Sequence, residues 1–202
     1  MNNVAEYLNR VSQVFARIPP EPIQEVIDAL RQARLEKKRI FIFGNGGSSS
    51  TASHMVNDIL KSTACFSLPR FKIICLSDNV PTLTAYANDV SYDIIFAEPL
   101  SALAEPGDLA IAISGSGNSP NVLRAMEVAG EMELLRIGFT GRDGGRLKDL
   151  CDICVIVPCD LMQIIEDAHM AILHGIFLEL CRPVEEQMQI LQIPVEPALH
   201  SI

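Results

Sequence analysis

The chain has 202 residues, 49% of them hydrophobic and 20% charged, with 16 basic against 25 acidic side chains and a formal net charge of −9. That length suits one compact domain, and the composition is too apolar for a disordered chain and too charged for a membrane bundle. The negative charge opposes non-specific nucleic-acid binding, which rests on Lys and Arg neutralising phosphates. It does not oppose a small anionic ligand, because backbone N–H groups at a helix start hold a phosphate without any lysine.

No stretch approaches the roughly 18 apolar residues of a spanning helix. The start, MNNVAEYLNRVSQVF, has no basic region followed by an apolar run, so a cytoplasmic protein with no membrane partner is expected. Residues 1–202 are expected to form one domain, with 1–38 as N-terminal helices and 182–202 as a tail.

Two helical patterns, 3–17 and 21–37, are separated by Pro19, Pro20 and Pro22, which cannot continue a helix. Five short apolar runs follow, at 39–44, 71–77, 108–114, 134–140 and 152–158. They are continuously apolar, as strands buried on both faces are. Helical segments are expected at 49–62, 81–87, 119–131 and 162–181. This repetition predicts an α/β fold, a doubly wound parallel sheet of about five strands flanked by helices. The six cysteines read as core thiols. Cys151 and Cys154 form a C-x-x-C, but on a strand their side chains should point to opposite faces.

Ligands of such sheets bind at the carboxyl ends of strands. Two turns there are rich in Gly and Ser: Gly44-Asn45-Gly46-Gly47-Ser48-Ser49-Ser50, and Ser114-Gly115-Ser116-Gly117-Asn118-Ser119-Pro120. Glycine lets the backbone approach an anion, serine adds hydroxyl donors, and the helix dipole favours negative charge. Neither loop has the lysine of a P-loop, and no acidic residue follows at the spacing of a dinucleotide site. An anion site without a nucleotide cofactor is expected.

The helix 49–62 carries an apolar stripe (Ala52, Met55, Val56, Ile59, Leu60), with His54 and Asp58 on the opposite face. Taken alone they are a solvated pair; a function for them requires something to cover that face, and a second subunit is the obvious candidate. The helix 162–181 has almost no wholly polar face and reads as buried, yet contains Glu166, Asp167, His169 and His174. At 100° per residue Glu166 and His174 lie about 80° apart and can converge, while His169 lies about 140° from His174. Two histidines and two carboxylates suit either a divalent metal such as zinc or an acid–base pair without metal.

GNGGS with His54 six residues on, NDVSYD, ISGSGNS and the E-D-x-H-x-x-x-x-H helix together resemble the sugar isomerase (SIS) fold, and within it the phosphoheptose isomerases, over nearly the whole chain to about residue 181. The resemblance implies conversion of sedoheptulose 7-phosphate to D-glycero-D-manno-heptose 7-phosphate through an enediol. It implies substrate contacts from Asn45, Gly46, Gly47, Ser48, Asn88, Asp89, Ser114, Ser116 and Ser119, with Gly115 where a threonine is common. His54 matches a metal-site histidine and His174 the catalytic and metal-site histidine. Asp58 stands where a catalytic glutamate is usual, and Glu166 where a glutamine metal ligand is common. The implied metal set is therefore His54, Asp58, Glu166 and His174, with zinc as the cofactor; Asp58, Glu166 and His174 are the candidate catalytic groups. A homotetramer with sites between subunits, packed through the N-terminal helices, is also implied. The competing class is a non-catalytic phosphosugar-binding or regulatory SIS protein, including a replication-initiation partner.

Overall fold

The computed structural model describes residues 3–63, 68–182 and 186. Five parallel strands, β1 (Arg39–Gly44), β2 (Lys72–Cys75), β3 (Leu109–Ser114), β4 (Leu135–Gly141) and β5 (Ile153–Val157), lie in the order β2-β1-β3-β4-β5. Among the described residues, eight α-helices connect or flank them: α1 (Val4–Phe15), α2 (Glu21–Leu35), α3 (Gly47–Ser62), α4 (Val80–Asp89), α5 (Ala97–Leu103), α6 (Pro120–Glu131), α7 (Leu147–Leu150) and α8 (Met162–Leu180).

Alternation along each strand feeds two apolar layers. Ile40 and Ile42 face α1, α2, α3 and α8, whereas Phe41 and Phe43 face α5, α6 and α7. All four are fully buried. Helices on both faces and parallel pairing throughout make the sheet doubly wound, as its apolar runs imply.

Local chemistry sets the element ends. Asn3 caps α1 by accepting the Glu6 N–H at 2.8 Å, and the Tyr7 hydroxyl donates to Asp167, pinning α1 to α8. That bond, with burial second, pushes the Tyr7 pKa up to about 12. At the amino ends of β1 and β3, the buried Asp108 carboxylate accepts the Arg39 N–H at 2.8 Å and the Glu105 N–H at 2.9 Å. At the other end, a Cβ on Gly44 would stand 2.7 Å from the Ile113 carbonyl and 2.8 Å from Ser48 Cβ. Backbone cannot yield as a flexible side chain does. Gly44→Ala is therefore expected to cost about 1–3 kcal/mol, read as a lower denaturation midpoint at unchanged m-value.

Several expectations are corrected. The run 71–77 forms a strand only to Cys75, because Leu76–Asp78 curls into a 3₁₀ turn. The α5 helix is additional; Pro99 sits in its first turn, where its missing N–H costs nothing. Cys151 precedes β5 rather than lying on it, so the two C-x-x-C thiols meet instead of pointing apart. Both lie over Gly138, whose missing side chain makes the room. Their mutual hydrogen bond raises the Cys151 pKa and lowers that of Cys154. Among the described residues every cysteine is a free thiol. Finally, α8 is not buried all round: His169 is, but His174, Gly175 and Leu178 face outward. The tail read at 182–202 lies, apart from Arg182 and Glu186, outside the described residues.

Candidate active site

The two Gly/Ser loops lie side by side because β1 pairs with β3, Gly44 opposite Ile113. Their neighbours β2 and β4 lie on opposite sides of that pair, so the chain direction switches between the two loops, where doubly wound sheets bind ligands. Gly46 caps α3 at φ +55°, a conformation open to glycine at little cost, and this turns the Gly47–Ser50 backbone into the helix start. Gly46 and Gly47 are exposed and Ser48 is buried.

In the second loop Ser119 occupies the cap position of α6, but its side chain makes no cap bond. Its hydroxyl lies 3.3 Å from that of Ser114. The Ser116 hydroxyl accepts the Asn118 N–H at 3.2 Å. A side chain on Gly115 would meet Met162 Sδ at 2.5 Å, so Met162 fills the space that a threonine would need. A cleft of about 190 Å³ opens beside the first loop, lined by Asn45, Gly46, Ser49, Thr84 and Tyr92 among others.

On the outer side, α3 and α8 pack together and bring three expected residues to one point. His54 Nε2 lies 3.0 Å from His174 Nε2 and 3.2 Å from Asp58 Oδ2, and His174 Nε2 lies 3.8 Å from the same oxygen. Both imidazoles are about half exposed, and Ser50, Ser53, Asn57 and Asp78 line a shallow depression beside His54. Zinc bonds of 2.0–2.2 Å in a tetrahedron put ligand atoms about 3.3 Å apart. Two imidazole nitrogens and one carboxylate oxygen at these separations fit such an ion, with the outward side open for a further ligand.

Glu166 stands apart from this trio. Its carboxylate lies against Gly47 at the start of α3, where a Cβ would be 2.6 Å from Oε1, and it makes no hydrogen bond among the described residues. Asn88 and Asp89 hydrogen-bond to each other at 2.7 Å on the exposed end of α4 and do not line the cleft. His169 points away from the trio, as its angle implies, with Nε2 donating to the Thr140 carbonyl at 3.1 Å. Sequence reasoning missed Tyr92 and Asn121, both hydrogen-bonded to Asn45. The latter is a polar residue buried in the first turn of a helix, which sequence shows only when the neighbouring loop is known.

The SIS domain family model matches residues 5–141. The phosphoheptose isomerase of Paramagnetospirillum magneticum is 37% identical over 182 residues, covering 90% of this chain and 92% of that protein. The probable phosphoheptose isomerase of Thermoplasma acidophilum is 35% identical, covering 90% and 97%. Among solved structures, phosphoheptose isomerase GmhA from Neisseria gonorrhoeae superposes with a TM-score of 0.79 at 29% identity, covering 87% of this chain and 95% of that one. Paired Gly/Ser loops at the switch point and near end-to-end similarity lead to one assignment: the chain belongs to the SIS-domain family, among its phosphoheptose isomerases.

Proposed function

We propose that the protein is an aldose–ketose isomerase that interconverts sedoheptulose 7-phosphate and D-glycero-D-manno-heptose 7-phosphate through a cis-enediol. The observation that carries this reading is the His54–Asp58–His174 trio, held by α3 and α8 beside the Gly/Ser loops. The N–H groups of Gly46, Gly47 and Ser48, with the hydroxyls of Ser114, Ser116 and Ser119, anchor the phosphate. That remote binding orients the C1–C2 end. By resemblance Asn88 and Asp89 also contact the sugar, from the exposed end of α4 outside the cleft.

Asp58 takes a proton from C1 while His174 gives one to O2, which produces the enediol. His174 then withdraws the proton of O1 as Asp58 returns its proton to C2, leaving the aldose. Donors and acceptors balance over the cycle. The same three side chains, His54, Asp58 and His174, would hold a divalent metal, zinc by resemblance, which when bound polarises the carbonyl and stabilises the negative enediolate oxygen; the clustered atoms of Asp58 and His174 are then ligands and no longer carry protons. Glu166, whose carboxylate lies against Gly47 and apart from the trio, would in that case be the free carboxylate that moves the C1–C2 proton.

A cleft of about 190 Å³ is smaller than the roughly 300 Å³ and more of most small-molecule sites. The exposed trio and the small cleft together support a homo-oligomer, a tetramer by resemblance, in which a neighbouring subunit covers this face. No helix among the described residues is long and apolar enough to cross a membrane.

Proton NMR of the protein with sedoheptulose 7-phosphate in D₂O, with and without zinc, tests the reading. New aldose anomeric signals, or deuterium entering at C1 or C2, are expected. Broadened ligand resonances without turnover would make the protein a phosphosugar binder instead.

A further inference from the structure

Asn45 is fastened in a way that determines what it can offer a ligand. Its Oδ1 accepts two hydrogen bonds, from Asn121 Nδ2 at 2.9 Å and from the Tyr92 hydroxyl at 3.0 Å. Its Nδ2 donates to Asn121 Oδ1 at 2.8 Å. A primary amide has two acceptor sites and two N–H donors, so both lone pairs of Asn45 are used and one N–H remains.

The orientation of this amide pair is inherited from the backbone. Asn121 is 1% exposed, and its Oδ1 also accepts the Val122 N–H at 2.9 Å. A backbone N–H can only donate, which fixes the oxygen of Asn121 and hence its NH₂. Asn45 rotated by 180° would place oxygen against oxygen and NH₂ against NH₂. The α6 backbone therefore sets Asn121, and Asn121 sets Asn45, across the gap between the first loop and the helix after the second. Tyr92, 56% exposed and lining the same cleft, caps the assembly from outside.

We propose that Asn121 and Tyr92 are positioning residues, which hold Asn45 so that it presents a single N–H donor, and no acceptor, to a phosphosugar oxygen in the cleft. The inference rests on the phosphosugar reading above and adds the selectivity of the contact: Asn45 meets a phosphate oxygen or the lone pair of a sugar oxygen, not a hydroxyl proton.

A double-mutant cycle read on KM for sedoheptulose 7-phosphate provides the test. Tyr92→Phe removes one donor and keeps the ring. It is expected to raise KM about threefold to tenfold with little change in kcat. In an Asn45→Ala background the same change should leave KM unaltered, and Asn121→Ala should follow the same pattern. An equal rise in both backgrounds would overturn the proposal, because a merely structural role persists without Asn45. Should Asn121→Ala fail to fold, the Tyr92→Phe arm decides alone. Absence of both turnover and binding in the wild type would remove the phosphosugar reading, and the positioning is then read without ligand. The Asn45 side-chain amide signals, identified by their loss in Asn45→Ala, should shift in Tyr92→Phe; unchanged signals would overturn it.

Discussion

Alanine at His174 is expected to lower kcat by about 10²- to 10⁴-fold, the range that a positioned proton-transfer group supplies. The fold should tolerate the change. The side chain is 47% exposed and meets His54 and Asp58 rather than the core, so its removal should alter stability by no more than about 0.5 kcal/mol. The Gly/Ser loops do not depend on it, so affinity for sedoheptulose 7-phosphate by calorimetry should remain near that of the wild type. Zinc binding measured by equilibrium dialysis should weaken together with turnover, since two of the three clustered ligand atoms would remain. Turnover at the wild-type rate would remove His174 from the mechanism.

The second large effect concerns acid stability and His169. Its Nε2–H donates to a carbonyl, which leaves Nδ1 as a bare lone pair, buried and without a partner among the described residues. Protonation would place a charge and an unmatched N–H beside Phe139, and burial accordingly pushes the pKa down to about 4. In the unfolded chain the same imidazole titrates at 6.5. Above pH 6.5 both states are neutral and the folded protein keeps its full stability. Between 6.5 and about 4 the unfolded state takes up a proton that the folded state refuses, so stability falls with falling pH. At 1.36 kcal/mol per pKa unit the loss approaches about 3 kcal/mol. Urea unfolding at pH 7, 5.5 and 4 should show it. His169→Gln, which keeps an N–H for Thr140 and does not titrate, should have a shallower pH dependence by that amount. Equal slopes in the two proteins would refute the assignment.

The fold was legible because parallel strands covered on both faces leave uninterrupted apolar runs, and all five runs contain a strand. Where the text misled, a local feature outweighed the periodicity. The apolar run past Cys75 continues into a turn, and Pro99 conceals the start of a short helix. In α8 the apolar side chains are too evenly spread for periodicity to separate His169, buried against Thr140, from His174, which faces outward. At the site, His54 and Asp58 are four residues apart and were readable as neighbours on one helix. Their meeting with His174 depends on how α3 and α8 pack, and that is a property of the whole sheet. The Asn45–Asn121 pair was invisible for the same reason: 76 residues separate the partners, and the adjacency of β1 and β3 alone brings them together.

The Asp108 carboxylate that ties the amino ends of β1 and β3 lies a full strand away from the loops, about 16 Å at 3.3 Å per residue. Substitutions at such separations usually act additively. Folding free energy lost when the ligand loops change can therefore be regained at the amino ends without altering what the loops recognise. The architecture lets selection work on sugar preference and on persistence of the fold as two separate traits.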